Sequence, residues 1–371
     1  MSDSARLAEL VERRLAEFCD EKREQFHEID PELAGLIASV QRLLTGGKRF
    51  RALFAYWAWA SVLPDTNDSE TQRDRERASI AMIDICASLE MFHAAALVHD
   101  DVMDSSDTRR GFPSVHKQFE NLHESEMWVG SKDRFGQAAA IIAGDMMLGW
   151  SSDLFERGLK TLGDPERAEA ARSEFSRMRF EVMAGQYLDV LEENSGPVRK
   201  QELAVSRANR VMLYKTAKYS IEAPMLIGAA VAGAEPAIRR GLTAFAIPLG
   251  MAFQLRDDVL GVFGDSTKTG KPAGDDLREG KRTILVALSR ESLGSSTLKI
   301  FDELLSNRAL TQEQITLLQQ TIKGCGALER VEYMIDEYGR ESLRNLEALS
   351  IESYAKAQLD LLAKKVLQRE N

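Results

Sequence analysis

Cysteine is scarce in this chain, and Cys19, Cys86 and Cys325 are too scattered for a disulfide framework or a thiolate metal site, with no CxxC pair among them. That usage fits a reducing cytoplasm. Nine prolines and 25 glycines are few interruptions for 371 residues, and alternating β-branched runs are hard to find. Long stretches rich in Ala, Leu, Glu, Arg and Met predict helices throughout. Basic residues are in the minority, 48 against 58 acidic ones for a net charge of -10, which argues against a non-specific grip on nucleic acid. The N-terminal segment mixes charged and apolar residues at helical spacing and lacks the unbroken apolar core of an export signal. The most apolar segment, residues 80–98, carries Asp84, Glu90 and His93, so it reads as a buried core helix and not a membrane span. With 44% hydrophobic and 29% charged residues, the chain is expected to be a soluble globular protein with a full-sized core.

Helical patterns follow one another with short polar breaks, at Thr45-Gly46-Gly47, residues 64–68, 194–197 and 264–274, and Gly324. None is long enough for a linker, and no repeat or low-complexity tract interrupts the chain, so a single domain over residues 1–371 is expected. Two irregular stretches, residues 107–135 and 264–282, lie beside clustered charge; polar segments of that length are often ligand loops or lids.

The strongest local signal is His99-Asp100-Asp101-Val102-Met103-Asp104. On a helix Asp100 and Asp104 project from one face, their Cβ atoms about 5–6 Å apart, with Asp101 beside them. Such repulsion, placed at a helix C-terminus against the dipole, is relieved by a cation, and oxygen ligands without His or Cys favour magnesium over zinc. A second pair, Asp257-Asp258, ends another apolar helix. Basic residues surround both pairs: Lys48, Arg49 and Arg51, then Arg109-Arg110, Lys215, Lys218, Lys268, Lys271, Lys281 and Arg282. Magnesium-binding carboxylates together with Arg and Lys are what a diphosphate requires.

These residues resemble the motifs of the trans-isoprenyl diphosphate synthases, the polyprenyl synthetases. GGKRFR at 46–51 is similar to that family's GGKRxR, and DDVMD at 100–104 with Arg109-Arg110-Gly111 to its first aspartate-rich motif. Lys215-Thr216 is similar to its KT pair, and FQLRDD at 253–258 with Gly270-Lys271 and Lys281 to its second aspartate-rich region. The resemblance is closest to bacterial geranylgeranyl diphosphate synthases. It implies one all-α domain of ten or more helices around a deep central cavity, with the acidic clusters facing each other at its mouth, and a homodimer. It implies an allylic diphosphate chelated through three magnesium ions by Asp100, Asp104 and Asp257, with Asp101 and Asp258 in the outer shell. Arg109, Lys215, Lys271, Thr216 and Gln254 would hold that diphosphate, with Lys281 an even choice between ligand and solvated loop. Isopentenyl diphosphate would lie against Lys48, Arg51, His93 and Arg110. The implied reaction is ionisation of the allylic substrate, attack by the isopentenyl double bond, and proton loss to the released diphosphate. The second motif departs from the family: Gly261 stands where a third aspartate is usual.

In this family, product length is set by side chains below the first motif. Here Ala95 and Ala96 are small, so a growing chain can pass, and Phe92, eight residues before Asp100 and about 12 Å away along a helix, is the expected floor. That depth favours geranylgeranyl diphosphate over farnesyl diphosphate, with longer polyprenyl products and plain packing of Phe92 left open. A class I terpene cyclase is the nearest other enzyme, but it would not need GGKRFR and Arg110. A non-catalytic synthase subunit would not need intact acids.

Overall fold

Leu7, Val11, Leu15 and Phe18 recur at helical spacing, and all four are buried along one face of α1 (Asp3–Ile29). Ser2 caps that helix by accepting from the Ala5 amide, and Phe18 meets Trp150 edge-on at 6.3 Å. The same logic repeats along a computed structural model that describes residues 2–63, 69–264, 274–307 and 309–368. Its elements are α1, α2 (Ala34–Leu44), α3 (Phe50–Val62), α4 (Ser69–Met103), a hairpin of β1 (Thr108–Arg109) and β2 (Phe112–Pro113), α5 (Val115–Ser125), α6 (Lys132–Leu162), α7 (Pro165–Ser195), α8 (Ala204–Val211), a π-helical segment (Met212–Glu222), α9 (Ala223–Val231) and α10 (Pro236–Phe263). After the second irregular stretch come α11 (Asp275–Glu279), α12 (Ile284–Ser292), α13 (Ser295–Leu305), α14 (Gln312–Gly324), α15 (Ala327–Ala348) and α16 (Ser353–Leu367). The fold is all-α, and the two-residue strands of the hairpin are the only sheet among the described residues.

The residues group into two compact units. The first contains Met1–Arg172, Pro224–Ala234 and Ile351–Gln358. Its spine is the pairing of α4, 35 residues long, with α6, 31 residues long. Residues Thr71–Met103 are long and apolar enough to cross a membrane, but 72% of their most apolar window is buried inside the protein, as a core helix requires. His99 belongs to this packing: its ring lies against Gly144 of α6, with Nε2 3.2 Å from the Ile141 carbonyl oxygen.

The stretch 107–135, expected to be irregular, is largely ordered. Val115, His116, Phe119, Glu120 and His123 recur at helical spacing and form the buried face of α5, which packs on α6. Its charged residues hid that periodicity from a reading of hydrophobic pattern alone.

The second unit contains Ser173–Ala223, Glu235–Ser350 and Leu359–Asn371. Here α10 packs along α15 and against the π-helical segment. Pro248 inside α10 has no amide to give the Ala244 carbonyl, and Asn345 of α15 donates to that oxygen at 2.8 Å instead. Ser342 donates to the next carbonyl, that of Phe245, at 2.9 Å. The π-helical segment is seated by close backbone approach: a Cβ on Gly185 would lie 2.5 Å from the Lys215 nitrogen, and one on Gly250 would lie 2.5 Å from the Ala217 Cα. Such π segments concentrate where a helix must re-aim functional side chains.

Candidate active site

In the first unit the acidic motif closes α4. Asp104 bonds back to the Asp100 carbonyl at 2.8 Å, Ser105 turns into the left-handed region, and the Ser106 amide bonds to the Asp101 carbonyl at 2.9 Å. Asp101 and Asp104 are buried, and Asp100 is half-buried. Arg109, carried on β1, does not stand apart from these acids. Its Nε donates to Asp101 Oδ1 at 2.9 Å, its Nη2 donates to the same oxygen, and Nη2 lies 3.9 Å from Asp100. Asp101 is therefore paired with an arginine, while Asp100 and Asp104 share one face of the helix end.

The hairpin also aims Arg110. Its two-residue turn, Arg110-Gly111, has both residues at positive φ, 53° and 79°, the geometry of a type I′ connection. The Arg110 guanidinium reaches the end of α2, where Nη1 donates to the Leu43 carbonyl at 3.1 Å and lies across Gly47. Arg49 takes a left-handed φ of 51° just before α3 and is buried, donating to the Leu44 carbonyl. Its Nη1 is 3.6 Å from the buried Glu90, whose Oε1 accepts from the Ala52 amide at 3.2 Å. Glu90 thus caps the α3 N-terminus and counters Arg49. Enclosure by protein, and then the cations of Arg51, Arg110, Arg109 and Arg49, hold the His93 imidazole well below its ordinary range, so it is neutral at neutral pH. Lys48 is exposed and Arg51 half-buried on the same turn. Four arginines around one neutral histidine, set against the buried carboxylates of Glu90 and Asp101, leave a positive excess suited to an anion.

Along α4, His93, Ala96, Leu97 and Asp100 are half-open at spacings of three, one and three, while Phe92 and Ala95 are 1% and 0% exposed. One face of this core helix is thus less enclosed than the rest, and it runs from the histidine to the first aspartate.

In the second unit, α10 presents Asp257 and Asp258 one residue apart. Thr216 donates to Gln254 Oε1 at 2.5 Å, and Gln254 donates from Nε2 to Asp258 Oδ1 at 2.7 Å, a relay that fixes the amide's orientation. Burial pushes the Asp258 carboxyl well above its ordinary range; Asp276, Asp257 and Asp189 push it further, against the Gln254 hydrogen bond. Lys215 pairs with Asp189 of α7 at 2.5 Å, and Lys218 with Glu181 at 2.6 Å. Lys281 pairs with Glu279 at 2.7 Å. Lys271 lies outside the described residues.

The donor set fits magnesium by its chemistry, being carboxylate oxygens without thiolate or imidazole at either motif. Among the described residues no three His, Cys, Asp or Glu side chains converge into a ready-made cage. Acids offered in ones and twos suit an ion that takes its remaining ligands from water and substrate phosphate. Glu90, Asp189 and Asp276 were not singled out as site residues from the sequence, and Arg49 was read only as part of the basic cluster. The signal for Glu90 was an acid inside an apolar helix, but nothing in the spacing of Asp189 points to Lys215.

Comparison with known proteins agrees with this reading. The sequence model of the polyprenyl synthetase family matches residues 35–322. The chain is 30% identical, over 97% of its length and 98% of that protein, to a short chain isoprenyl diphosphate synthase of Methanothermobacter thermautotrophicus. It is also 30% identical to a geranylfarnesyl diphosphate synthase of Aeropyrum pernix, over 90% of this chain and 93% of that one. Its structure is similar to that of a geranylgeranyl pyrophosphate synthase from Corynebacterium glutamicum solved with isoprenyl diphosphate and magnesium, at 34% identity and a TM-score of 0.89, covering 99% of this chain and 100% of that one. The chain belongs to the polyprenyl synthetase family, and it is a prenyltransferase of that family.

Proposed function

We propose that this enzyme joins isopentenyl diphosphate head-to-tail to an allylic diphosphate, with geranylgeranyl diphosphate as its main product. Asp100, Asp104 and Asp257 would hold three magnesium ions, with Asp101 and Asp258 outside them. When bound, the ions supply Lewis acidity toward the negative charge that develops on the departing diphosphate. Arg109, Lys215 and Lys271, with Thr216 and Gln254, orient the allylic diphosphate. Lys48, Arg51 and Arg110 bind the isopentenyl diphosphate, and neutral His93 donates a hydrogen bond to it without adding charge. The allylic carbon–oxygen bond breaks with its electron pair going to the diphosphate. The isopentenyl double bond attacks the cation to form the new carbon–carbon bond, and a proton leaves to the released diphosphate. No protein base is needed, but the cation requires a dry wall, which Ala96 and Leu97 offer.

The observation that carries the product assignment is the stripe on α4, half-open from Asp100 down to His93 and flanked by the enclosed Phe92. The names of the relatives include both geranylgeranyl and geranylfarnesyl synthases, so the length is to be measured. Purified protein incubated with isopentenyl diphosphate, magnesium and each of dimethylallyl, geranyl and farnesyl diphosphate should yield mainly a twenty-carbon product. A fifteen-carbon or thirty-carbon product would refute Phe92 as the floor.

We further propose one synthase domain over residues 1–371 acting as a cytoplasmic homodimer. The two compact units interleave along the chain, the first reclaiming Pro224–Ala234 and Ile351–Gln358, which supports one domain. The cysteines are free thiols, which suits a reducing compartment. Phe180, Met183 and Tyr187 form an exposed apolar stripe on α7, which supports a partner copy.

A further inference from the structure

Arg109 and Arg110 are carried by a hairpin that cannot hold itself. Its ladder pairs only Thr108 with Pro113 and Arg109 with Phe112, and an isolated two-stranded ribbon of that length is not stable in water. No side chain from Asp107 to Pro113 is buried, and Arg109 alone is half-buried. The first enclosed side chains come at the base, where Ser114 and His116 are 1% and 3% exposed. Ser114 donates twice to the Asp107 carbonyl, from its amide at 2.9 Å and from its hydroxyl at 3.3 Å, and the hydroxyl oxygen lies 3.2 Å from His116 Nδ1. A hydroxyl has one hydrogen, so with that hydrogen on the carbonyl it is the Nδ1–H that donates to Ser114. Burial, and then Lys117, hold the imidazole below its ordinary range against Glu120 and Asp107, so the ring is neutral at neutral pH. His116 is seated in its turn: a Cβ on Gly136 of α6 would fall 2.4 Å from the His116 carbonyl oxygen, so the start of α5 lies directly on α6.

We propose that His116 is a positioning residue for isopentenyl diphosphate: through Ser114 it closes the base of the hairpin and so fixes Arg110 at the tip. The inference rests on the reading of Arg110 as a ligand of that diphosphate. The path is short and continuous. Helix α6 seats His116, His116 holds the Ser114 hydroxyl, Ser114 joins the two ends of the hairpin, and the ladder passes that register to the Arg110-Gly111 turn. At the tip, Arg110 Nη1 meets the carbonyls of Leu43, Thr45 and Gly46 at 3.1, 3.4 and 3.5 Å. Carbonyls orient a guanidinium without cancelling its charge, which stays available to an anion. The strand after the turn has a second tie, since Gln118 donates to the Pro113 carbonyl at 2.8 Å and accepts from Arg42 of α2 at 3.1 Å. Without the His116 ring that tie holds β2 alone, and the Ser114 hydroxyl is free to rotate off the Asp107 carbonyl.

The test is a double-mutant cycle in steady-state kinetics of the full chain, with the allylic diphosphate saturating and isopentenyl diphosphate varied, and thermal unfolding to set a temperature at which every variant is folded. His116→Leu should lower kcat/KM for isopentenyl diphosphate about 100-fold, the cost of moving a substrate-positioning group by about 1 Å. His116→Asn, whose amide can donate from about the place of Nδ1, should recover most of that loss. In an Arg110→Ala chain, where the positioned group is gone, His116→Leu should cost about twofold or less, because residues that act as one unit are not additive. Ser114→Ala, which removes the hydroxyl and keeps the backbone bond to Asp107, should show a smaller loss with the same coupling, and it takes the place of His116→Leu in the cycle if that variant does not fold. An equal cost in both backgrounds, or a lowered melting temperature with native kcat/KM, would overturn the inference. Arg110→Ala separates it from the reading beneath. If Arg110→Ala raises KM for isopentenyl diphosphate but the cycle shows no coupling, only the role of His116 fails; if Arg110→Ala leaves that KM at the native value, the assignment of Arg110 fails and the inference with it.

Discussion

Arg109 donates to Asp101 at 2.9 Å across the turn that ends α4, and so the first acidic motif contains an internal ion pair. Asp101 is 1% exposed, and the Arg109 guanidinium is its charged partner across that turn. Removing one member of a buried pair costs more than removing both, because an unpaired charge is left in a poor solvent. Arg109→Ala should therefore lower stability by about 3–5 kcal/mol. Asp101→Asn in the same chain should recover part of that loss. Denaturant unfolding of the two single variants and the double variant forms the cycle that checks it. Activity should stay low in both chains that lack Arg109, since the guanidinium is also a substrate ligand in the proposed site.

Asp258 gives a pH dependence with a definite sign. Its folded pKa is raised, first by burial and then by Asp276, Asp257 and Asp189. A carboxyl raised on folding stabilises the protein fully below its ordinary value of 3.8, and that contribution is lost as pH climbs from there to the folded pKa. In chelator, Asp258→Asn should therefore be more stable than the native chain at neutral pH, and the difference should vanish at pH values below the ordinary carboxyl range. Thermal unfolding across pH checks both halves. A gap that stayed constant with pH would remove the burial argument.

The sequence and the structure agree best where chemistry lies within one helix. The i, i+4 placement of Asp100 and Asp104 was legible because a helix fixes it, and the all-α fold was legible from composition and period. What the sequence hid depends on tertiary approach. Asp189 meets Lys215 from another helix, and Asp276 fills the place of a side chain on α10. Neither pairing leaves a pattern in the linear sequence. Gly261 was visible in the sequence as a missing carboxylate, but the side chain that lies against it was not, since only the packed structure shows what occupies the space. Helix α5 was missed because its buried face contains His116, Glu120 and His123, which a hydrophobic pattern counts as polar.

Phe92 tests the product reading from two directions. Phe92→Ala should lengthen the product beyond twenty carbons while lowering stability by about 3–5 kcal/mol, the usual cost of truncating a buried phenylalanine. Phe92→Leu should keep more of the stability and extend the product less. Ala96→Phe, on the half-open face one turn before Asp100, should shorten the product toward fifteen carbons. Chromatography of the dephosphorylated products reads all three. If every variant gave the native length, the α4 stripe would not be the wall along which the chain grows.

The exposed stripe on α7 gives the last expectation. Phe180, Met183 and Tyr187 are 75%, 51% and 66% exposed and stand at i, i+3 and i+7, so they share one face of the helix. Three large apolar side chains aligned along one helix face are costly to leave in water, and a second copy presenting the same stripe would cover them with two-fold symmetry. If the chain pairs through this stripe, Phe180→Glu should leave it monomeric, because like charges would be brought against each other without counter-ions. Light scattering coupled to size exclusion, at micromolar protein, reads the change directly. Circular dichroism should show helix content unchanged, since residue 180 makes little use of its own chain's core. A native chain that ran as a monomer, or a Phe180→Glu variant that stayed dimeric, would move the interface away from this helix.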